Sequence, residues 1–136
     1  MSAAWDDLKI GTEREPETQP PLTIQSFVQY QGASGDLNPI HYDTSFAQAA
    51  GYPGPFAVGM HQAGRMATYV TDWLGPRNVR RFSVRFKEQA WPGDELTYSG
   101  TVVARDEDKR TVEVELACTR QTGGVHLTGT ATFVVP

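Results

Sequence analysis

A single cysteine, Cys118, stands in the chain of 136 residues, so no internal disulfide can hold it together. Cys118 falls in the alternating run "TVEVELACTR", where a small buried apolar role is expected rather than a nucleophile. Basic residues are not in excess: 12 Lys and Arg stand against 16 Asp and Glu, a net charge of −4 that argues against nucleic acid as a partner. No apolar run approaches the ~20 residues of a membrane span. The start "MSAAWDDLKI" lacks the basic segment and apolar block of a secretory signal, so a cytoplasmic protein is expected. Three scattered histidines and one cysteine have no ligand spacing, so no metal is expected. What is present is globular in type: 39% hydrophobic and 21% charged residues. A chain of this length buries about 68% of its unfolded surface, enough for one core without staples.

Residues 1–21 are polar and proline-dotted ("GTEREPETQPP") and read as a lead-in holding at most one edge strand. Residues 22–136 read as one domain. Thr23 can cap a helix through "TIQSFVQYQG", with Ile24, Phe27 and Val28 on one side and Gly32 as its end. A short helix in "DTSFAQAAG" is stopped by Gly51, and "YPGPF" is an irregular crossing. From Gly59 to Leu74, Met60, Ala63, Met66, Ala67, Val70 and Leu74 recur at helical spacing before "GPR" ends the segment. Gly64 inside this helix suggests close approach to another element. The period then drops to two through "VRRFSVRFK", "ELTYSGTVVA", "TVEVELACTR" and "HLTGTATFVV", with "DEDK" and "TGG" as hairpin turns. Four antiparallel strands after one long helix predict an α+β domain: a twisted sheet wrapped around a central helix, the hot-dog arrangement. Such a sheet leaves an edge open, and dimerisation is expected to cover it.

The stretch "ASGDLNPIHYD" carries the chemistry. Asp36 and His41 are five residues apart. On a helix they would point roughly 140° apart, and on a strand to opposite faces. Only a bent loop brings them together, and Gly35, Asn38 and Pro39 supply the means to bend it. A carboxylate and an imidazole aimed at one point can hold a water, one taking a proton while the other delivers one, work worth ~10²–10⁴ in rate. The same residues are also ordinary turn chemistry, with Asp36 a cap and His41 a half-buried ring.

"YQGASGDLNPIHYD" resembles the signature of the MaoC-like, or (R)-specific enoyl-CoA hydratase, family: an aromatic residue followed by G-D-x-N-P-x-H. "VGM" at the start of the long helix and "RFKEQAWPGDELTYSGTV" are similar too, so the resemblance runs from about Leu22 to Val134. In length and in the helix end "YVTDWLG" the chain is similar to mycolic-acid-type (3R)-hydroxyacyl dehydratase subunits. The resemblance implies hydration of a trans-2-enoyl thioester to a (3R)-3-hydroxyacyl thioester, or the reverse. It implies Asp36 and His41 as the acid/base pair, Asn38 as their support, and the Gly59 backbone N–H as donor to the thioester oxygen. The family usually carries histidine immediately before this glycine, where this chain has Val58.

For the acyl chain, Phe56, Met60 and the short helix around Phe46 and Ala50 are candidates, with Tyr52, Pro53 and Pro55 shaping the mouth. Arg81, Arg85 and Lys87, preceded by Arg77 and Arg80, form a basic stripe. It is either a solvated outer sheet face or a seat for the phosphates of coenzyme A or the acidic surface of an acyl carrier protein. His61 reads as a helix histidine and His126 as a structural one. No cofactor is expected beyond the coenzyme A or phosphopantetheine of the substrate. The expected partners are an acyl-CoA or acyl-carrier-protein substrate and a second hot-dog chain, in a homodimer or a heterodimer. The alternatives are a hot-dog thioesterase and a non-catalytic partner subunit.

Overall fold

Thr23 opens the first helix as the sequence predicts. Its hydroxyl accepts from the Ser26 amide at 3.0 Å while the Ser26 hydroxyl accepts from the Thr23 amide at 3.4 Å, a reciprocal cap on α1 (Ile24–Ser34). The structure, a computed structural model, describes residues 2–136. α1 runs through Gly32, where the sequence suggested a stop. A glycine inside a helix costs only ~1 kcal/mol. Gly35, at φ 81°, supplies the left-handed turn that does end the helix. α2 (Thr44–Ala49) follows, capped by Asp43, and then α3 (Gly59–Leu74).

The alternating runs form β2 (Val79–Phe86), β3 (Leu96–Asp106), β4 (Thr111–Arg120) and β5 (Val125–Val134). A fifth strand, β1 (Glu13–Thr18), pairs with β3, and the sheet order is β1-β3-β4-β5-β2 with every pairing antiparallel. Pro16 lies in β1 where the register shifts between Arg14 and Glu17, at a sheet edge where a missing N–H is tolerated.

α3 lies across the inner face, burying Met66, Tyr69, Val70 and Leu74. Gly100, Leu116 and Gly129 face one another on three adjacent strands. A Cβ on Gly129 would stand 2.7 Å from Met66 Sδ, and one on Gly100 would stand 3.4 Å from Tyr69 Cε1. The helix therefore rests on strand backbone at these two points. The close approach expected at Gly64 is found here instead: a Cβ on Gly64 would meet nothing within 4 Å. This is the α+β hot-dog arrangement read from the sequence.

Within residues 2–21 the chain reaches the core. Trp5 and Leu8 are buried in the core, Trp5 beneath the guanidinium groups of Arg105 at 3.9 Å and Arg110 at 4.7 Å. Arg105 also donates to the carbonyls of Trp5 and Leu8. Two apolar residues in a polar stretch show no periodicity, so pattern alone could not place them. No helix among the described residues is long and apolar enough to cross a membrane.

Candidate active site

Beyond Gly35 the chain bends as its side chains dictate. Asp36 accepts from the Asn38 amide at 3.3 Å, and Asn38 accepts from the Ile40 amide at 3.1 Å, capping a 3₁₀ turn at Pro39–His41. Asn38 thus holds the bend, the part read for it from the sequence. Gln31, 2% exposed on α1, donates from Nε2 to the Asn38 carbonyl at 2.9 Å and ties the loop to the helix before it. Sequence reasoning missed Gln31, because a glutamine in a mixed helix carries no signal of burial.

His41 is buried, its ring edge-on to Phe56. Its Nδ1 lies 2.7 Å from the Phe56 carbonyl. A carbonyl only accepts, so Nδ1 carries a proton and Nε2 is the ring nitrogen left for other partners. Asp36 and His41 line one pocket of about 400 Å³ together with Phe56, Val58, Gly59 and Met60. The bent loop does what no regular element could at this spacing.

Gly59 is the first residue of α3, and the apolar Val58 gives no side-chain cap to the helix. The opening amides of a helix lack intrahelical partners and carry the positive end of its dipole. A Cβ on Gly59 would stand 2.7 Å from Phe86 Cε1, so the bare glycine lets the Phe86 ring close over the helix start. Val58 is buried, so the position immediately before Gly59 is an apolar part of the pocket wall.

Of the substrate candidates, Phe56 and Met60 line the pocket, and Tyr52 packs on Phe56 at 4.7 Å between ring centroids. Phe46 and Ala50 do not line it. Lys87 does, at the end of the basic stripe, whereas Arg81 and Arg85 point from β2 to solvent and do not reach it. They alternate with the half-buried Phe82 and Val84, so the pleat that turns those side chains inward turns the guanidinium groups out. His61 stacks on Tyr30 at 4.6 Å, outside the pocket.

His126 is a departure from the sequence reading, because it lines the same pocket as Asp36 and His41. Its Nδ1 lies 2.6 Å from the Glu88 carbonyl, and its buried Nε2 has no hydrogen-bond partner. Burial pushes its pKa below the ordinary imidazole value, against the opposing effects of the Glu88 carbonyl and of the Asp94 and Glu88 charges. The wall beside it is braced by Asp94, which accepts from the Trp91 amide at 2.8 Å, Arg120 Nε at 2.7 Å and Gln121 Nε2 at 2.8 Å. Burial raises the Asp94 pKa, but these three donors outweigh it and hold the carboxyl below its usual value. Ala57 donates to the Ala90 carbonyl at 2.8 Å, joining the braced wall to the segment that enters α3.

The MaoC like domain model matches residues 7–123. The chain belongs to the MaoC-like family. It is 32% identical over 134 residues to the (R)-specific enoyl-CoA hydratase of Rhodospirillum rubrum, covering 97% of this chain and 91% of that one. A solved MaoC-like dehydratase superposes with a TM-score of 0.91 at 29% identity, over 98% of this chain and 42% of its own. The (R)-hydratase from A. caviae involved in PHA biosynthesis superposes with a TM-score of 0.83 at 25% identity, over 95% and 98%. Several larger curated relatives match only in part: the chain spans 5% of the fatty acid synthase subunit beta of Gibberella zeae and 32% of the enoyl-CoA hydratase ChsH3 of Mycobacterium tuberculosis.

Proposed function

We propose that this MaoC-like chain is a hydro-lyase that adds water to a trans-2-enoyl thioester, giving a (3R)-3-hydroxyacyl thioester, and catalyses the reverse dehydration. The observation that carries the reading is the convergence in one pocket of Asp36, the His41 ring with its Nδ1 already bonded, and the uncapped start of α3. Asp36 and His41 hold the water between them. One takes a proton from it as the oxygen bonds to C3, and a proton passes to C2, so that H and OH end across the former double bond. Negative charge develops on the thioester oxygen during the attack, and the Gly59 N–H at the positive end of α3 offsets it. Asn38 keeps the loop bent, and Phe56 and Met60 flank the acyl chain. These steps use acid/base groups alone, with coenzyme A or phosphopantetheine entering as part of the substrate.

A second hot-dog chain, identical or related, completes the assembly in this reading. Leu37 and Met60 are 66% and 59% exposed, and Phe86, which closes over the helix start, is also exposed, surfaces that a partner would cover. β2 also ends the sheet with an unpaired edge.

The test is the conjugated absorbance of trans-2-butenoyl-CoA incubated with wild type, Asp36→Asn and His41→Ala. Absorbance falls with wild type, and each substitution slows the fall ~10²-fold or more. Release of free thiol instead would establish a thioesterase. Unchanged rates in both variants would overturn the proposed mechanism.

A further inference from the structure

β5 contains one residue more than β4 needs: Cys118 pairs with Leu127 and Thr119 with Val125, leaving His126 without a partner in the ladder. Such a bulge breaks the in-out alternation and re-aims a side chain. His126 and Leu127 are accordingly both buried, although neighbours in a regular strand face opposite ways. The bulge seats the His126 ring in the pocket wall beside Glu88, where Nδ1–H donates to the Glu88 carbonyl. Nε2 is then a lone pair with less than 1 Å² of accessible surface and no donor. A buried acceptor left unmatched is costly, and His126 is part of the pocket lining, the side from which a ligand would bring a donor.

The site thus holds two imidazoles with the same tautomer, each pinned through Nδ1 to a backbone carbonyl. His41 comes from the loop with Asp36, and His126 comes from the sheet. An enoyl thioester has no N–H or O–H on its acyl chain or its thioester group, and the C3 hydroxyl of the hydroxyacyl form lies between Asp36 and His41 in the reading above. The nearest donor is the amide N–H two carbons beyond the sulfur, in the arm common to coenzyme A and carrier-protein phosphopantetheine. We infer that His126 binds the substrate arm, its Nε2 accepting a hydrogen bond from that amide. The inference rests on the thioester reading above and adds to it a contact on the arm, outside the reacting carbons.

Two substitutions separate this role from a structural one. His126→Asn places an amide NH₂ near Nδ1, keeping the bond to the Glu88 carbonyl but removing Nε2. His126→Gln loses that tether and restores an acceptor near Nε2. Titration calorimetry with saturated butyryl-CoA and with butyryl carrier protein reads binding without turnover. His126→Asn is expected to weaken whichever thioester the wild type takes by about tenfold, with His126→Gln recovering most of the loss. With trans-2-butenoyl-CoA, His126→Asn raises KM and leaves kcat near wild type. With the S-ethyl thioester, which lacks the amide, variant and wild type perform alike. Equal losses on both thioesters would put the donor on the reacting water and overturn the inference, as would wild-type binding by His126→Asn. If the wild type binds butyryl-CoA and His126→Asn binds it weakly, yet no hydration occurs, the hydratase reading falls and this contact stands.

Discussion

Replacing Gln31 by leucine tests whether the loop that carries Asp36 and His41 depends on its tie to α1. Gln31 is buried, and its Nε2 bond to the Asn38 carbonyl is 2.9 Å long. The same carbonyl also accepts from the His41 amide at 3.3 Å, so it keeps one partner when the glutamine is lost. The bond removed is worth about 1 kcal/mol net. Leucine fills nearly the same space and leaves no polar group of its own to bury, so overall stability changes by less than about 1 kcal/mol and Tm by less than about 5 °C. The loss instead falls on the loop. If the aligned loop is disfavoured by the same 1 kcal/mol, kcat drops about fivefold, while KM, set by the walls of the pocket, stays within a factor of about two. The assay is hydration of trans-2-butenoyl-CoA alongside a thermal melt. A kcat within twofold of wild type would refute the positioning argument. A fall in Tm of ten degrees or more would show that Gln31 serves the core instead.

Three further outcomes follow from the structure. Asp94→Asn, which keeps the shape but removes the charge from the Arg120 and Gln121 contacts, lowers stability by about 2 kcal/mol at pH 7 in denaturant titration. Because the folded Asp94 pKa lies below its unfolded value, that stabilisation is complete above the unfolded carboxyl range and disappears as pH falls through the folded pKa; a difference that persists in strong acid would refute the cause. Gly129→Ala and Gly64→Ala should act oppositely: the first forces a methyl against Met66 Sδ and the Ser83 carbonyl and costs about 1–3 kcal/mol, whereas the second adds about 1 kcal/mol to an open helix position, both read from thermal melts. Burial pushes the Cys118 thiol up to about 12, so a thiol reagent at pH 8 should modify it only as fast as the domain opens, and rapid stoichiometric labelling of native protein would contradict its placement.

Much of the fold was written in hydrophobic period. Val112, Val114, Leu116 and Cys118 alternate along β4 as expected, and α3 spans Gly59 to Leu74 as its spacing indicated. The loop was legible because Asp36 and His41 are spaced in a way that regular structure cannot use, and because turn residues lie between them. Other features depend on neighbours that no local pattern reveals. Trp5 is buried because Arg105 and Arg110, a hundred residues away, close over it. The close approach assigned to Gly64 belongs to Gly100 and Gly129, since what decides it is which residues of the sheet meet the helix. Arg81 and Arg85 were grouped with Lys87 by alternation, yet only Lys87, beyond the end of β2, lies in the pocket wall. His126 was read as structural because the bulge that turns it inward is a matter of pairing register with β4.

That bulge lies next to the turn joining β4 and β5, where the Gly123 amide bonds to Arg120 and the Arg120 amide to Gly124. The length of this hairpin and the lining of the pocket are therefore one variable. Deleting a single residue beside the bulge would restore regular pairing and swing the imidazole out to solvent, while Asp36 and His41 kept their identity. Within such a scaffold, changes of substrate preference can arise by one-residue insertions and deletions at the tip of a hairpin as readily as by exchanging the residues that touch the ligand.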